Sequence, residues 1–370
     1  MTWVQEYLKA VVSTLGTEYY PCHMRALVFD GPGLTPYITD LPIPDPKPTS
    51  AIIKVEATGL CRSDWHAWMG HDDDITHFPH TPGHEFAGTI AAVGTEITQL
   101  KVGDRVTVPF VSGCGTCIQC QTNNAQVCPN QWQPGFDGPG SFANFVAIPN
   151  ADFNVVKIPD SMSYAVAASL GCRFATSYRG LVLVHQTQAT DTVAIFGCGG
   201  IGLAAIMIAK SRGATVIAVD LSDNALAFAL SIGADHVINA SHVNPVLAIR
   251  ELTGHGASVS VDALGSVATS SQCIQSLRPR GHHLQIGLLP PVVIKDRATV
   301  AMHTVISREL NIHGVHGMSA ADYPKMLADI SSGLLHPEKL IATTITLEEA
   351  PEALMAMDQD RAPGITVIAL

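Results

Sequence analysis

Charge is scarce in this chain: Asp, Glu, Lys and Arg make up 14% of its 370 residues, against 47% hydrophobic. That balance excludes an intrinsically disordered protein, which lacks the apolar surface needed to offset chain entropy. Positive charge is the scarcer sign, with 21 Lys and Arg against 32 Asp and Glu and a formal net charge of −11. Such a surface repels phosphate backbones, so no nucleic-acid partner is expected. A continuous membrane-spanning run is missing too. The longest apolar stretch, Val193 to Ala209, is 17 residues long and carries Gly197, Gly199, Gly200 and Gly202. A spanning helix needs roughly 20 uninterrupted apolar residues, so no membrane association is expected. Nor does a cationic segment precede an apolar run near the start, where Glu6, Lys9 and Glu18 punctuate a weakly amphipathic stretch. Residues 1–23 read as an extension ahead of Met24.

A chain of this length exceeds the comfortable size of one hydrophobic core, which predicts two domains. Up to about residue 160 the pattern is β-rich. Short runs at Ala51–Thr58, Phe86–Val93 and Arg105–Phe110 are separated by Gly, Pro and Asp turns. From about residue 170 strands and helices alternate. Strands are expected at Thr192–Phe196, Thr215–Val219, Val237–Ile238, Ser258–Val261 and His283–Ile286, and helices at Ile201–Arg212, Asp223–Ile232 and Pro245–Thr253. Such repetition predicts an α/β, doubly wound parallel sheet. Helices at Ala320–Gly333 and Leu347–Gln359 and a last strand at Ile365–Leu370 are expected to return to the first domain.

Cys114, Cys117, Cys120 and Cys128 form the run C-x2-C-x2-C-x7-C. Two-residue gaps place successive thiolates on one side of a tight curl, and the longer gap lets the chain close a tetrahedral cage. Two disulfides or an iron–sulfur cluster are the alternatives. The polar turn residues Gly113, Gly115, Thr116, Gln119, Asn123 and Asn124 favour structural zinc. Nine cysteines, an odd number, fit a reducing cytoplasm better than a disulfide framework.

Gly197-Cys198-Gly199-Gly200-Ile201-Gly202 matches G-x-G-x-x-G, directly after the strand VAIF and at the start of a helix. Such a turn lets backbone approach a pyrophosphate, which the helix N-terminus attracts. Asp220, eighteen residues past Gly202, ends the second strand, where a carboxylate accepts bonds from adenosine ribose hydroxyls. It would repel a 2′-phosphate, and no Arg or Lys lies between Asp220 and Arg250. NAD is therefore expected over NADP. Gly287 and Leu288, after the His283–Ile286 strand, complete the cofactor-binding candidates, and Cys198 reads as a small apolar filler.

Further candidates lie in GLCRSDWH (residues 59–66), TPGHE (81–85) and LGCRFAT (170–176). Gaps of 23 and 88 residues separate Cys61, His84 and Cys172, and spacing alone does not bring them together. Each taken singly reads better as a core residue.

The ordered set GLCRSDWH, PGHEFAG, the four-cysteine run, LGCRFAT and GCGGIG resembles the zinc-dependent alcohol dehydrogenases of the medium-chain dehydrogenase/reductase superfamily, over nearly the whole chain from Met24. That resemblance implies a GroES-like catalytic domain formed by residues 24–172 and 314–370, and a Rossmann NAD-binding domain at 173–313. It implies a catalytic zinc on Cys61, His84 and Cys172, beside the structural zinc on the four-cysteine run. Asp64 would orient the ligand histidine, and Glu85 would approach zinc during ligand exchange. A zinc-bound alkoxide would hand hydride to NAD, with Ser63 and His66 relaying the proton and Arg62 meeting the pyrophosphate. The implied substrates are primary or secondary alcohols and their aldehydes or ketones, and the implied assembly is a homodimer or homotetramer. Cys172 argues against a polyol enzyme, where Glu often stands at that position. Phe110 matches a pocket-lining position, with Trp65, Trp68 and Trp132 as neighbouring candidates. One departure stands out: where the family often has Gly-Arg near the C-terminus, this chain reads Gly364-Ile365, with Arg361 as a possible substitute.

Overall fold

The computed structural model describes residues 23–72, 75–289, 300–359 and 363–370. The extension, apart from His23, and Arg361 lie outside these residues. A hairpin of β1 (His23–Val28) and β2 (Tyr37–Pro42) leads into an antiparallel sheet of β3 (Ala51–Leu60), β4 (Phe86–Val93), β5 (Arg105–Thr107), β6 (Phe145–Ile148) and β7 (Val156–Lys157). β3 is central and nearly continuously buried, pairing with both β4 and β6. Its β-branched Ile52, Ile53 and Val55 suit a pleated surface covered on both sides. The expected strand at 105–110 stops at Thr107; Pro109 has no N–H to donate to a ladder.

A second sheet holds β8 (Thr192–Phe196), β9 (Thr215–Asp220), β10 (His236–Asn239), β11 (Ala257–Asp262), β12 (Leu277–Gln285) and β13 (Asn311–Gly314). All neighbours run parallel in the order β10-β9-β8-β11-β12-β13. Along β8, Val193 and Ile195 join one apolar cluster while Ala194 and Phe196 join another, so both faces are covered. The order reverses at β8, and ligands of such sheets bind outside the carboxyl ends of the strands at that switch point. The glycine-rich turn stands there. The helix after it, Gly200–Ser211, buries Leu203 through Ala209 without interruption, which explains why a 17-residue apolar run belongs to a core. No described helix is long and apolar enough to cross a membrane.

The chain then returns to the first sheet. The helix Tyr323–Ser331 packs on Ala175–Tyr178, where Tyr178 Oη donates to Asp329 Oδ2 at 2.7 Å. β14 (Ile341–Thr346) and β15 (Ile365–Ala369) follow, with β15 parallel to β14 and antiparallel to β3. Thr366 faces Leu60, one residue before Cys61.

Candidate active site and metal centres

Cys61 caps a short helix, Arg62–Trp68, at the end of β3. Asp64, in the first turn, accepts from the Cys61 backbone N–H at 2.9 Å and the Gly83 N–H at 3.1 Å. Its Oδ1 also accepts from His84 Nδ1 at 2.9 Å, so from a fully buried position it ties the Cys61 turn to the Gly83–His84 segment. Cys172 comes from a wide π-turn at Leu170–Phe174, a geometry common at functional sites. Ligand atoms of Cys61, His84, Glu85 and Cys172 all lie within 4.8 Å of one another. His84 Nε2 is buried without a hydrogen-bond partner, while its Nδ1 is committed to Asp64. Two sulfurs and an imidazole so oriented form a donor set that suits zinc with a position open to substrate. A hydrogen bond from Cys172 pulls the Cys61 thiol well below its usual range, and the same contact raises Cys172. Metal binding here therefore releases protons.

Glu85 is held by Arg173, a residue whose role no local motif signals. Arg173 backbone N–H and Nε donate to Glu85 Oε1 at 2.9 and 3.0 Å, and Nη2 donates to Oε2. The carboxylate is fully buried and the guanidinium nearly so. Burial raises the Glu85 carboxyl, and the Arg173 charge opposes that rise. The same side chain runs beneath the glycine-rich turn: a Cβ at Gly200 would lie 2.5 Å from Arg173 Cδ. Arg173 thus touches both the metal-side carboxylate and the cofactor turn. Ile365, at the family's arginine position, is 1% exposed and sits in β15.

The four-cysteine run forms a second cluster, with all sulfurs within 4.8 Å. All eight described cysteines are free, which removes the disulfide alternative for this run. Sulfur separations of 3.6 Å for Cys117–Cys128 and 4.0 Å for Cys114–Cys120 bracket the roughly 3.8 Å edge of a tetrahedron with 2.3 Å bonds. Backbone N–H groups of Cys117, Cys114 and Asn130 point at sulfurs at 3.3–3.4 Å. The Thr116 hydroxyl leads the effects that bring Cys114 down to about 5. Replacing Cys120 by Ser should release this ion and lower the thermal midpoint. Retained metal stoichiometry in metal analysis would contradict the cage.

At the glycine-rich turn, a Cβ at Gly202 would lie 1.8 Å from the Gly197 carbonyl, so this position must be glycine. Asp220 ends β9 and accepts from the Cys198 N–H at 2.7 Å and from Leu221 and Ser222 N–H at 2.8 and 3.0 Å. Ser222, not Asp220, caps the next helix. Cys198 is 2% exposed and its thiol is raised by burial, in keeping with a filler. Gly287 donates to Asp262 O at 2.8 Å, and Leu288 lines the cavity with Ile201 and Ile286.

That cavity, about 290 Å³, joins the two sets of residues: Ser63, His66, His84, Cys172 and Thr176 lie on its wall with Ile201 and Leu288. Phe110 lines it as expected, together with Phe136. The three tryptophans do not. Trp65 and Trp68 pack with Leu27, Phe29 and Leu60, with Trp68 Nε1 bonded to Leu34 O at 2.7 Å, and Trp132 lies against the β3–β4 core. Arg62 turns elsewhere as well: Nη1 donates to Met357 O and the guanidinium stacks 4.1 Å over Trp65. His66 Nδ1 lies 2.9 Å from His71 Nδ1, a pairing made by the loop that follows the helix. Burial first, then the charges of Arg62 and His71, bring His66 down to about 4. Between about pH 6.5 and that value the unfolded chain binds a proton that the folded protein refuses. Stability should fall with acid across this window, and denaturation midpoints of His66→Phe should fall less steeply there.

Two family models match the chain: the alcohol dehydrogenase GroES-like domain over residues 47–160 and the zinc-binding dehydrogenase domain over residues 200–332. An NAD-dependent alcohol dehydrogenase of Sulfurisphaera tokodaii is 32% identical over 93% of this chain and 99% of its own length. A sorbitol dehydrogenase of Bacillus subtilis is 33% identical over 86% of this chain and 89% of its own. Among solved structures, a zinc-binding dehydrogenase of Sinorhizobium meliloti bound to NADP has a TM-score of 0.85 and 26% identity, covering 95% of this chain and 100% of its own. The fold, the two clusters of metal-ligating side chains and these relatives define a two-domain oxidoreductase. This chain belongs to the zinc-dependent alcohol dehydrogenases of the medium-chain dehydrogenase/reductase superfamily.

Proposed function

We propose that the protein is an NAD-dependent alcohol dehydrogenase that interconverts a primary or secondary alcohol with its aldehyde or ketone. The observation that carries this reading is the convergence of Cys61, His84 and Cys172 on one another, with His84 and Cys172 lining a cavity shared with the glycine-turn residue Ile201. A zinc held by Cys61, His84 and Cys172 supplies a Lewis acid that lowers the pKa of an alcohol hydroxyl, and a nicotinamide supplies the hydride acceptor. Asp64 keeps the His84 proton on Nδ1, so Nε2 would be free to give a lone pair to a metal. Glu85, held by Arg173 among these ligand atoms, would be available as a spare oxygen ligand. Ser63 Oγ, on the cavity wall 3.9 Å from Cys61 Sγ, receives the substrate proton, and His66 takes it onward. His66 and His71 meet nitrogen to nitrogen, so one ring donates while the other accepts, giving the proton a path out. Phe110 and Phe136 exclude water beside His84, which strengthens the electrostatics of the site.

Asp220, with no cation in the following helix, favours NAD over NADP. Asp220→Ala also loosens the turn at Cys198, so both KM values should rise, but the NAD-to-NADP ratio of kcat/KM should fall at least about tenfold. An unchanged ratio would remove Asp220 from that role. The wider reading is a cytoplasmic homodimer or homotetramer that binds two zinc ions per chain and engages no nucleic acid or membrane. Initial rates on a panel of alcohols with NAD and NADP, alongside metal analysis, test the whole reading. A zinc-replete protein that oxidises none of them, or that binds one ion per chain, would refute it. The likeness to a sorbitol dehydrogenase makes a polyol enzyme the second reading, and polyols belong in the same panel.

A further inference from the structure

One side of the cavity is polar, and neither metal binding nor cofactor binding uses it. His316, Gln131 and Gln133 line the same cavity as His84 and Cys172. His316 Nδ1 lies 2.8 Å from the Gln126 carbonyl oxygen. A carbonyl only accepts, so Nδ1 carries the ring proton, and in the neutral ring Nε2 is an acceptor. Phe110 stands between the two histidines, with ring centroids 6.0 Å from His84 and 5.2 Å from His316. The acceptor is therefore one aromatic ring away from the metal-facing imidazole, within reach of a short substrate bound there. Gln133 is 9% exposed and its backbone N–H is tied to Asp137, while its side-chain amide bonds to no described residue. That amide offers one more donor and one more acceptor. None of the described lining residues is Lys or Arg, and Asp72 is among them, so a phosphate or carboxylate on the substrate would meet no counter-charge.

We infer that the site selects an alcohol bearing a second hydroxyl, which donates to His316 Nε2 and is flanked by the Gln133 amide. This rests on the dehydrogenase reading above and names its substrate class. The selection works mainly by penalty. A plain alkanol of the same length would displace water from His316 and Gln133 and leave their polar atoms unpaired against its apolar chain. Gln126, Gln131 and Gln133 flank Cys128, so the four-cysteine cage fixes the polar wall in place.

The test compares kcat/KM for a terminal butanediol and for butanol, using full-length, zinc-replete protein. The wild type should prefer the diol. His316→Asn keeps an N–H for the Gln126 carbonyl but withdraws the Nε2 acceptor, and should cut the diol-to-alkanol ratio roughly tenfold to a hundredfold. His316→Gln restores a polar atom where Nε2 stood and should recover most of the ratio. Butanol turnover with no diol preference, or an unchanged ratio in His316→Asn, overturns the inference alone. Turnover of neither substrate with NAD or NADP overturns the dehydrogenase reading and the inference together.

Discussion

Cys172→Ala should lower kcat/KM by on the order of a thousandfold while NADH binding, read by fluorescence titration, stays within about twofold of wild type. The first figure follows from removing one of two thiolates from a Lewis-acid site, where several kcal/mol of charge stabilisation is at stake and each 1.36 kcal/mol is about tenfold. The second follows from topology. Cys172 sits in the π-turn at Leu170–Phe174, whereas the cofactor bed proposed above, the Gly197–Gly202 turn and Asp220, lies at the carboxyl ends of β8 and β9. Metal analysis supplies a readout independent of turnover: zinc should drop from two ions per chain to one. Loss of NADH binding together with activity would mean that Cys172 supports the fold and not the metal.

Arg173→Leu should destabilise the protein by roughly 3–5 kcal/mol, because it leaves the Glu85 carboxylate buried without its partner. Its dependence on pH has a definite sign. Without the guanidinium, burial would raise the Glu85 carboxyl further above its unfolded value, so the carboxyl would be neutral and tolerated in acid. The deficit should grow as pH climbs above about 4.5 and shrink below it. Arg173→Lys retains charge but loses the fork to both oxygens, and should fall between. Adding Glu85→Gln to Arg173→Leu should recover part of the loss in denaturant midpoint. A single variant as stable as wild type, or a double variant with no recovery, would break the argument.

Local features were legible in the sequence; features made by convergence were not. The cage of Cys114, Cys117, Cys120 and Cys128 is nearly contiguous, so its spacing carries its geometry. The glycine-rich turn was readable because strand, turn and helix are consecutive. Cys61, His84 and Cys172 carry no spacing signal, and only the ordered resemblance joined them. Arg173 was visible as a letter in LGCRFAT, but its role depends on Glu85, 88 residues earlier, and on Gly200. His71, Gln133 and His316 reach the cavity from loops whose path is set by tertiary packing. The tryptophans misled for the opposite reason: large aromatic rings gain most by full burial, and Trp65 and Trp68 found a core one and two helix turns past Cys61.

The place of β15 has a consequence for synthesis. This strand lies between β14 and β3, and its pairing with Leu60 and Gly59 backs the segment that delivers Cys61. The ribosome must therefore pass residue 369 before the first sheet can close, although most of that sheet's strands emerge early. Until then Cys61, His84 and Cys172 have no completed pocket, while the four-cysteine loop already has all its sulfurs. Newborn chains should therefore complete the two ligand sets in order, the four-cysteine loop first and Cys61, His84 and Cys172 last.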